Sequence, residues 1–260
     1  MIKLNYQTLN NTPKIFVVAE VGNNHEGNFK TAKKMIKIAK QCGVDAVKFQ
    51  SFNPRLYYSV DQVDRIKKLQ SFFLSIEQMK DLIEYGKKLK ICVFSTPFDV
   101  KTAISLNKIQ NIFKISSGDN NFTQLIDKVI EFKKPIIIST GLADLSLLKK
   151  LYLKIKKKWG TFNKSRFLIF LHCVASYPVP IEESNIHLIS LFKKTFKDIF
   201  IGYSDHVQGI DASILSATLG AKIIEKHFTL DKNFSDFRDH QISANPQEMK
   251  ILVSKIRQMK

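Results

Sequence analysis

Short runs of β-branched and aromatic residues alternate with longer amphipathic segments along the whole chain. The short runs have the length of strands, and the longer segments repeat apolar residues at three- and four-residue steps, as helices do. Strands so continuously apolar are typical of a parallel sheet covered by helices. Eight strands are predicted, at residues 15–20, 45–50, 91–96, 112–117, 135–140, 167–173, 199–204 and 221–228.

This alternation predicts an α/β fold, namely a single-domain (β/α)₈ TIM barrel over residues 1–260. A doubly wound open sheet is the alternative arrangement for the same pattern. No linker or low-complexity stretch indicates a second domain. In a barrel of this kind the active site lies at the carboxyl ends of the strands, so polar residues at those ends become functional candidates.

The chain carries 41 basic and 23 acidic residues, a formal net charge of +18, which raises the question of a polyanionic partner. Nearly all of the positive charge is lysine on predicted helices, without arginine clusters or aromatic residues among the bases. This distribution favours solvated helix faces over nucleic-acid binding.

Neither a membrane span nor a secretory signal is predicted, because no apolar run approaches the ~20 residues that cross a bilayer and the N-terminus lacks an apolar core. The three cysteines are odd in number and widely spaced, so we expect a reducing, cytoplasmic environment. Cys42, Cys92 and Cys173 each lie in or beside an apolar segment and are predicted to be core residues.

Polar residues stand at or just after the end of every predicted strand. Since an unpaired buried charge costs several kcal/mol, function explains the set better than chance. The side-chain period of two places Lys48 with Gln50, and Glu225 with His227, on the inner face, and Lys226 toward the helices. The full set comprises Glu20, Lys48, Gln50, Thr96, Lys114, Ser116, Ser117, Ser139, Thr140, His172, Tyr177, Ser204, Asp205, His206, Glu225 and His227.

Two constellations within this set suggest chemistry. His206 and His227 end neighbouring strands of the barrel, where two imidazoles suit a divalent transition metal such as Mn²⁺. Lys48 and Lys114, with the nearby hydroxyl groups, are predicted to bind phosphate and carboxylate groups. Glu20 is the candidate functional carboxylate of the first loop.

Nine short motifs run through the chain from Ile15 to Met249. In their order and spacing they resemble the sialic acid (N-acetylneuraminate) synthase family, whose members condense phosphoenolpyruvate (PEP) with an N-acylated hexosamine. The resemblance implies a (β/α)₈ barrel and a PEP-dependent synthase of the transferase class. The motifs are "AEVGNNHEGN", "AVKFQSF", "STPFD", "FKISSGD", "KPIIISTG", "LHCVASYPVP", "IGYSDH", "GAKIIEKHFTLD" and "DHQISANPQEM".

Carried over residue by residue, the resemblance implies a divalent metal at His206 and His227, with Mn²⁺ first and Mg²⁺ or Co²⁺ as alternatives. The implied sugar neighbours are Glu20, Asp119 and Asp239. Which carboxylate moves a proton stays open. The implied catalytic residues are Glu20, Lys48, Lys114 and Glu225. The implied PEP contacts are the two lysines together with Gln50, Thr96, Ser117, Ser139, Tyr177 and Ser204.

Three departures from the family pattern concern the acceptor sugar. The family's antifreeze-like C-terminal domain, which offers an arginine to the partner subunit's site, is absent from this sequence, and the connection after the second strand is short. Ala175 and Asp119 stand where a sialic acid synthase has asparagine and glutamate.

We expect an N-acyl hexosamine of the N-acetylmannosamine type as acceptor and a nonulosonic (sialic-type) acid for a surface polysaccharide as product. A diacetamido-dideoxy hexose of the legionaminate or pseudaminate type is the alternative acceptor. A non-catalytic barrel that binds PEP or a partner protein is the alternative from another class. A homodimer or a separate chain could complete the sugar site.

Overall fold

The computed structural model describes residues 6–11, 13–57, 59 and 61–259, and eight parallel strands form its centre. Every predicted strand is confirmed, with its ends shifted by at most two residues. The strands are β1 Phe16–Gly22, β2 Ala46–Ser51, β3 Cys92–Pro97, β4 Phe113–Ile115, β5 Ile136–Ser139, β6 Leu168–Cys173, β7 Phe200–Asp205 and β8 Ile223–His227.

Helices surround the strands, so the predicted (β/α)₈ barrel is confirmed. In the described part of the chain no helix is both long enough and apolar enough to cross a membrane. The helices are α1 Tyr6–Asn11, α2 Phe29–Gln41, α3 Pro54–Tyr57, α4 Val63–Phe72, α5 Ile76–Lys88, α6 Val100–Asn107, α7 Thr123–Glu131, α8 Leu145–Trp159, α9 Leu188–Thr195, α10 Asp211–Thr218, α11 Asp239–Ile242 and α12 Pro246–Gln258.

Strand β4 is shorter than predicted. It ends at Ile115, and the chain turns at once into a 3₁₀-helix, Ser117–Asp119. The turn is closed by the Ser116 hydroxyl, which donates to Asp119 Oδ2 at 2.5 Å, and by the Asp119 amide, which donates to the Ser116 carbonyl at 3.2 Å. A local side-chain bond of this kind competes with the sheet ladder and stops the strand.

Helix α1 closes the bottom of the barrel. Its Leu9 is fully buried against the inward residues Phe16 and Phe167, and its Tyr6 ring meets the Phe200 ring edge-on at 5.4 Å. The lower interior is therefore a packed apolar plug. A cavity has room only above it, at the carboxyl ends of the strands.

One seam of the barrel lacks a ladder in the described residues. The strands pair in the order β3-β2-β1-β8-β7-β6-β5-β4, and β3 packs beside β4 without pairing with it. The side-chain amide of buried Gln110 takes the place of the missing ladder bonds at Ser95. It accepts from the Ser95 amide and donates to the Ser95 carbonyl, both at 2.9 Å.

Substitution of Gln110 by alanine is expected to lower the free energy of unfolding by about 2–6 kcal/mol. The change leaves the Ser95 N–H and C=O buried without partners, at about 1–3 kcal/mol for each group. Urea denaturation measures the effect. Replacement by methionine, which fills the volume without restoring the two bonds, should be nearly as damaging; a fully stable Met variant would contradict the assignment.

Candidate active site

A cavity of about 340 Å³ opens at the carboxyl ends of the strands, where the sequence places the polar residues. Most of the predicted site residues line it, although they come from strands far apart in the sequence. The strand-end pattern therefore marks a real convergence of side chains. The predicted residues on its wall are Glu20, Lys48, Gln50, Lys114, Ser117, Ser139, Tyr177, Ser204, His206, Glu225, His227 and Asp239.

Lys48 lies at the centre of the cavity floor. Its Nζ is 3.0 Å from Glu20 Oε2 and 3.6 Å from Glu225 Oε1, and it donates to the Thr96 hydroxyl at 3.2 Å. Burial alone would lower the pKa of Lys48, but the two carboxylates outweigh burial and raise it above its ordinary value. Lys48 is therefore a fixed positive charge.

Lys114 is less completely compensated. Its Nζ donates to the Ser139 hydroxyl at 2.6 Å and lies 3.7 Å from Glu225 Oε1. Burial, reinforced by the neighbouring Lys48, lowers the pKa of Lys114 in spite of Glu225. A bound anion would supply the missing negative charge, so Lys114 suits phosphate or carboxylate binding.

The two carboxyl groups beside Lys48 have pKa values shifted in opposite directions. Burial raises the pKa of Glu20 to about 7 against the pull of Lys48. Burial would also raise the pKa of Glu225, but Lys114 and Lys48 together hold it below its ordinary value. Glu225 is thus the ionised partner of the lysines, while Glu20 can gain or lose a proton near neutral pH, as a general acid or base must.

His206 and His227 approach each other at the cavity wall, with ring centroids 5.3 Å apart. His206 Nδ1 donates to the Val174 carbonyl at 2.8 Å, which leaves Nε2 able to accept a metal. His227 Nδ1 is buried without a hydrogen-bond partner, and Asp239 Oδ2 lies 3.9 Å from it. Burial, the nearby His206 and Lys48 lower the pKa of His227 well below its ordinary value, so its ring stays neutral.

This donor set fits a divalent metal with open positions. The two imidazoles can bind the ion through ring nitrogens that carry no proton, and water or substrate would occupy the remaining positions. Among the described residues no three His, Cys, Asp or Glu side chains form a complete ligand group. The protein ligands alone therefore do not fill a coordination sphere.

Of the residues that the family resemblance assigns to the site, Thr96 and Asp119 lie away from the cavity wall. Thr96 lies beneath Lys48 and accepts its hydrogen bond, so it positions the lysine. Asp119 bonds Ser116 within the 3₁₀ turn and does not line the cavity. Asp119 is held in this turn, away from the cavity, because β4 ends early. Contact of Asp119 with a sugar stays a prediction.

Strand β6 requires two corrections. Its alternation turns His172 outward, where Nε2 contacts the Ser184 carbonyl at 2.8 Å and the ring stacks on Tyr203. The same alternation turns Cys173 inward, onto the cavity wall, with Sγ 3.8 Å from His206 Nδ1. Cys173 is buried, as a core cysteine would be, but it also lines the cavity, which was not predicted. Leu171 faces the barrel interior, so the strand period of two already predicts that Cys173 faces it too.

Two further residues of the cavity wall were not predicted. Asn23 Nδ2 donates to Gln50 Oε1 at 2.8 Å, and this bond directs Gln50 Nε2 to Glu20 Oε1 at 3.3 Å. Arg238 stacks its guanidinium over the Tyr177 ring, 4.7 Å from the centroid, and supplies a positive charge to the cavity rim. Both residues reach the site through loop conformation, for which the sequence gives no periodic signal.

His25, in the loop after β1, is buried and accepts a hydrogen bond from the Gly27 amide on Nδ1 at 3.0 Å. Burial lowers its pKa to about 4. Between pH 6.5 and 4 the unfolded chain takes up a proton there and the folded chain does not. Stability is therefore expected to fall over this interval, by up to about 3 kcal/mol.

Urea denaturation at pH 7 and pH 4.5 tests this, with His25→Asn as the variant. Asparagine keeps an acceptor for the Gly27 amide but has no ionisation in this range, so the variant should lose that part of the pH dependence. The exposed His187 changed to asparagine is the control and should keep the wild-type slope. Equal slopes in all three proteins would show that His25 does not titrate as described.

The NeuB family model matches residues 35–260. The chain belongs to the NeuB family. An N,N'-diacetyllegionaminic acid synthase of Campylobacter jejuni is 38% identical and aligns over 95% of this chain and 76% of its own length. A mouse N-acetylneuraminate-9-phosphate synthase is 32% identical over 93% of this chain and 69% of its own length.

A crystal structure of an N-acetylneuraminic acid synthetase from Leptospira borgpetersenii has the same fold, with a TM-score of 0.88 and 32% identity. It aligns over 94% of this chain and 83% of its own. These NeuB relatives confirm the resemblance to sialic acid synthases and the prediction of an enzyme. Their names differ in the sugar acid, so NeuB membership leaves the acceptor open.

Proposed function

We propose that this NeuB protein joins C3 of PEP to the aldehyde carbon of an open-chain N-acyl hexosamine of the N-acetylmannosamine type. Water adds at C2, and the resulting tetrahedral centre expels inorganic phosphate to give a nonulosonic acid. One observation carries the proposal: Lys48 and Lys114 lie buried on the floor of a cavity whose wall also holds His206 and His227.

The lysines and hydroxyl groups would bind PEP. Lys114, short of negative charge, pairs with a PEP anion and is backed by the Ser139 hydroxyl. Ser117 Oγ is buried without a partner on the same wall and can donate to that anion. Fixed donors of this kind also stabilise the charge that develops during C–C bond formation.

Glu20 is the candidate proton carrier of the reaction. Its pKa of about 7 lets it accept a proton from the water that adds at C2. Glu225 stays ionised and holds both lysines in place. This division assigns different roles to two carboxyl groups that the sequence leaves equivalent.

His206 and His227 would hold the divalent metal, Mn²⁺ first, with Mg²⁺ or Co²⁺ as alternatives. When bound there, the ion would polarise the aldehyde oxygen of the acceptor. The neutral ring of His227 and the directed Nδ1–H of His206 support this assignment.

A diacetamido-dideoxy hexose is the second candidate acceptor. Ala175 contributes only a methyl group to the cavity wall, where the sialic acid synthase pattern has asparagine, so the pocket has more room and one hydrogen-bonding group less. The 38% identity to a diacetyllegionaminic acid synthase supports the same alternative.

Phosphate release from PEP, measured with a panel of aldoses, tests the proposal. The panel contains N-acetylmannosamine, a diacetamido-dideoxy hexose and the corresponding sugars without acyl groups. Each is assayed with Mn²⁺ and after chelation. Release that requires an N-acylated sugar and metal supports the proposal. If no aldose supports release, both acceptor hypotheses fail, and thermal stabilisation by PEP and Mn²⁺ would then favour a binding protein.

His227→Ala is assayed beside the wild type, with His172→Ala as its matched control. Both histidines are buried at strand ends, but His172 points away from the cavity. Loss of turnover and Mn²⁺ binding in the first variant alone supports the ligand assignment. Unchanged turnover in His227→Ala would overturn it.

A further inference from the structure

Asp205 and Lys226 form a fully buried ion pair on the outer face of the barrel wall. Both side chains have 0% exposure, and Lys226 Nζ lies 3.3 Å from Asp205 Oδ2. The two residues face each other in the register of β7 and β8. Each immediately precedes one of the cavity histidines, His206 and His227, which point to the inner face.

Stability alone does not explain such a pair. Removing two charges from water costs several kcal/mol per ion, and apolar residues of similar volume often stabilise a protein as well or better. The pair lies between the strand layer and α10, where apolar side chains fill most of the space. The groups that the pair holds in place are therefore the next place to look for its role.

The hydrogen bonds of the pair converge on the residue after His206. Asp205 Oδ1 accepts from the Val207 amide at 2.9 Å, and Lys226 Nζ donates to the Val207 carbonyl. The Ser213 hydroxyl of α10 donates to Asp205 Oδ2 at 2.5 Å and anchors the carboxylate to the helix layer. Both backbone polar groups of Val207 are thus fixed by one ion pair.

His206 is also held by hydrogen bonds to the loop after β6. Its ring donates to the Val174 carbonyl at 2.8 Å, and its backbone carbonyl accepts from the Val179 amide at 3.1 Å. The direction of the ring follows from the backbone between residues 205 and 207. Because Lys226 belongs to β8, its bond to the Val207 carbonyl also ties β8 to the chain beyond the last β7–β8 ladder pair, where the backbone leads into His206.

We infer that the Asp205–Lys226 pair is a positioning device for the two histidines. It fixes the relative placement of His206 and His227, and Asp205 and Lys226 act through them without touching substrate. This inference rests on the proposed metal site. The inference adds Asp205 and Lys226 to that site as positioning residues, on the outer face of the barrel wall, away from the substrate cavity.

The test uses the full chain with Asp205→Asn, Lys226→Met and the double variant. Asparagine keeps an acceptor for the Val207 amide, so the double variant removes both charges without leaving an unpaired one. Asp45→Asn is the matched control. Asp45 is also a buried carboxylate that pairs with Arg257 at 2.6 Å and accepts a strand amide, but it lies at the opposite end of the barrel.

Three quantities are measured for each protein: the melting temperature, the Mn²⁺ dissociation constant by electron paramagnetic resonance titration, and the metal-free ¹⁵N resonances of the imidazole rings. Both single variants should bind Mn²⁺ at least about 10-fold more weakly, as loss of supporting groups behind metal ligands typically does. The double variant should regain most of the lost melting temperature but not the affinity. Asp45→Asn should lose stability with unchanged affinity.

Wild-type Mn²⁺ affinity and unshifted imidazole resonances in the double variant would overturn the inference. So would an affinity loss in Asp45→Asn equal to that of the Asp205 variant, because the effect would then follow general stability. A wild type that binds no Mn²⁺ contradicts the proposed metal site instead. In that case the metal-free resonances of the two histidines still decide whether the pair positions the rings.

Discussion

Replacement of Lys114 by methionine is expected to lower kcat/KM by about 1,000-fold, about 4 kcal/mol of transition-state stabilisation, while the barrel stays folded. The side chain donates to Ser139 and faces the cavity with too little compensating negative charge. Methionine fills the same volume without the desolvated charge, so thermal stability should be equal to or higher than that of the wild type.

Lys48→Met is the matched comparison, and its stability should change in the opposite direction. Lys48 lies between Glu20 and Glu225, which raise its pKa, so its removal leaves two buried carboxyl groups without their shared cation. We expect a loss of about 3–5 kcal/mol in the free energy of unfolding.

Urea denaturation and PEP-dependent phosphate release are measured on both lysine variants. The prediction requires Lys48→Met to be less stable than Lys114→Met, although both variants lose activity. Equal destabilisation would mean that the charge environments of the two lysines are not different. An active Lys114→Met protein would remove this residue from PEP binding.

The pH dependence of kcat/KM is expected to show an inflection near 7 that belongs to Glu20. Burial raises the pKa of this carboxyl group to about 7, and a base that takes a proton from water must be ionised. Activity should therefore rise as the pH increases through this value. Glu20→Gln should lose the inflection and about 100- to 10,000-fold in rate.

Glutamine keeps an acceptor at the position that Gln50 Nε2 contacts, so the comparison changes the ionisation more than the packing. Thr96→Val is a suitable control, because it removes a contact of the same lysine without removing a titrating group. If Glu20→Gln keeps the inflection, or if the wild-type rate falls through pH 7, the assignment of Glu20 as the base is wrong.

The strands of the barrel were predictable because each carries its own periodic signal. In β8 the period of two separates Glu225 and His227 from Lys226, and the structure places them on opposite faces. Strand β4 was less predictable, because its end depends on one local bond between Ser116 and Asp119.

The cavity was predictable where strands supply its residues and not where loops do. Lys48, Lys114 and the histidines follow directly from strand position. Arg238 comes from a loop that packs over Tyr177, and no pattern in the chain signals that approach. Gln110 was missed for a different reason: its role exists only because β3 and β4 do not pair.

The unpaired seam between β3 and β4 also gives the barrel a preferred place to be opened. Starting at this seam, the neighbouring strands of the sheet are β4 to β8, followed by β1 to β3. Only the step from β8 to β1 departs from the order of the chain. At the base of the barrel, Arg257 of α12 donates to the Ile15 carbonyl just before β1 at 2.6 Å, so the last helix already lies beside the start of the first strand. A circular permutant opened between α6 and β4 would then run through the sheet from one edge to the other, each strand beside its predecessor.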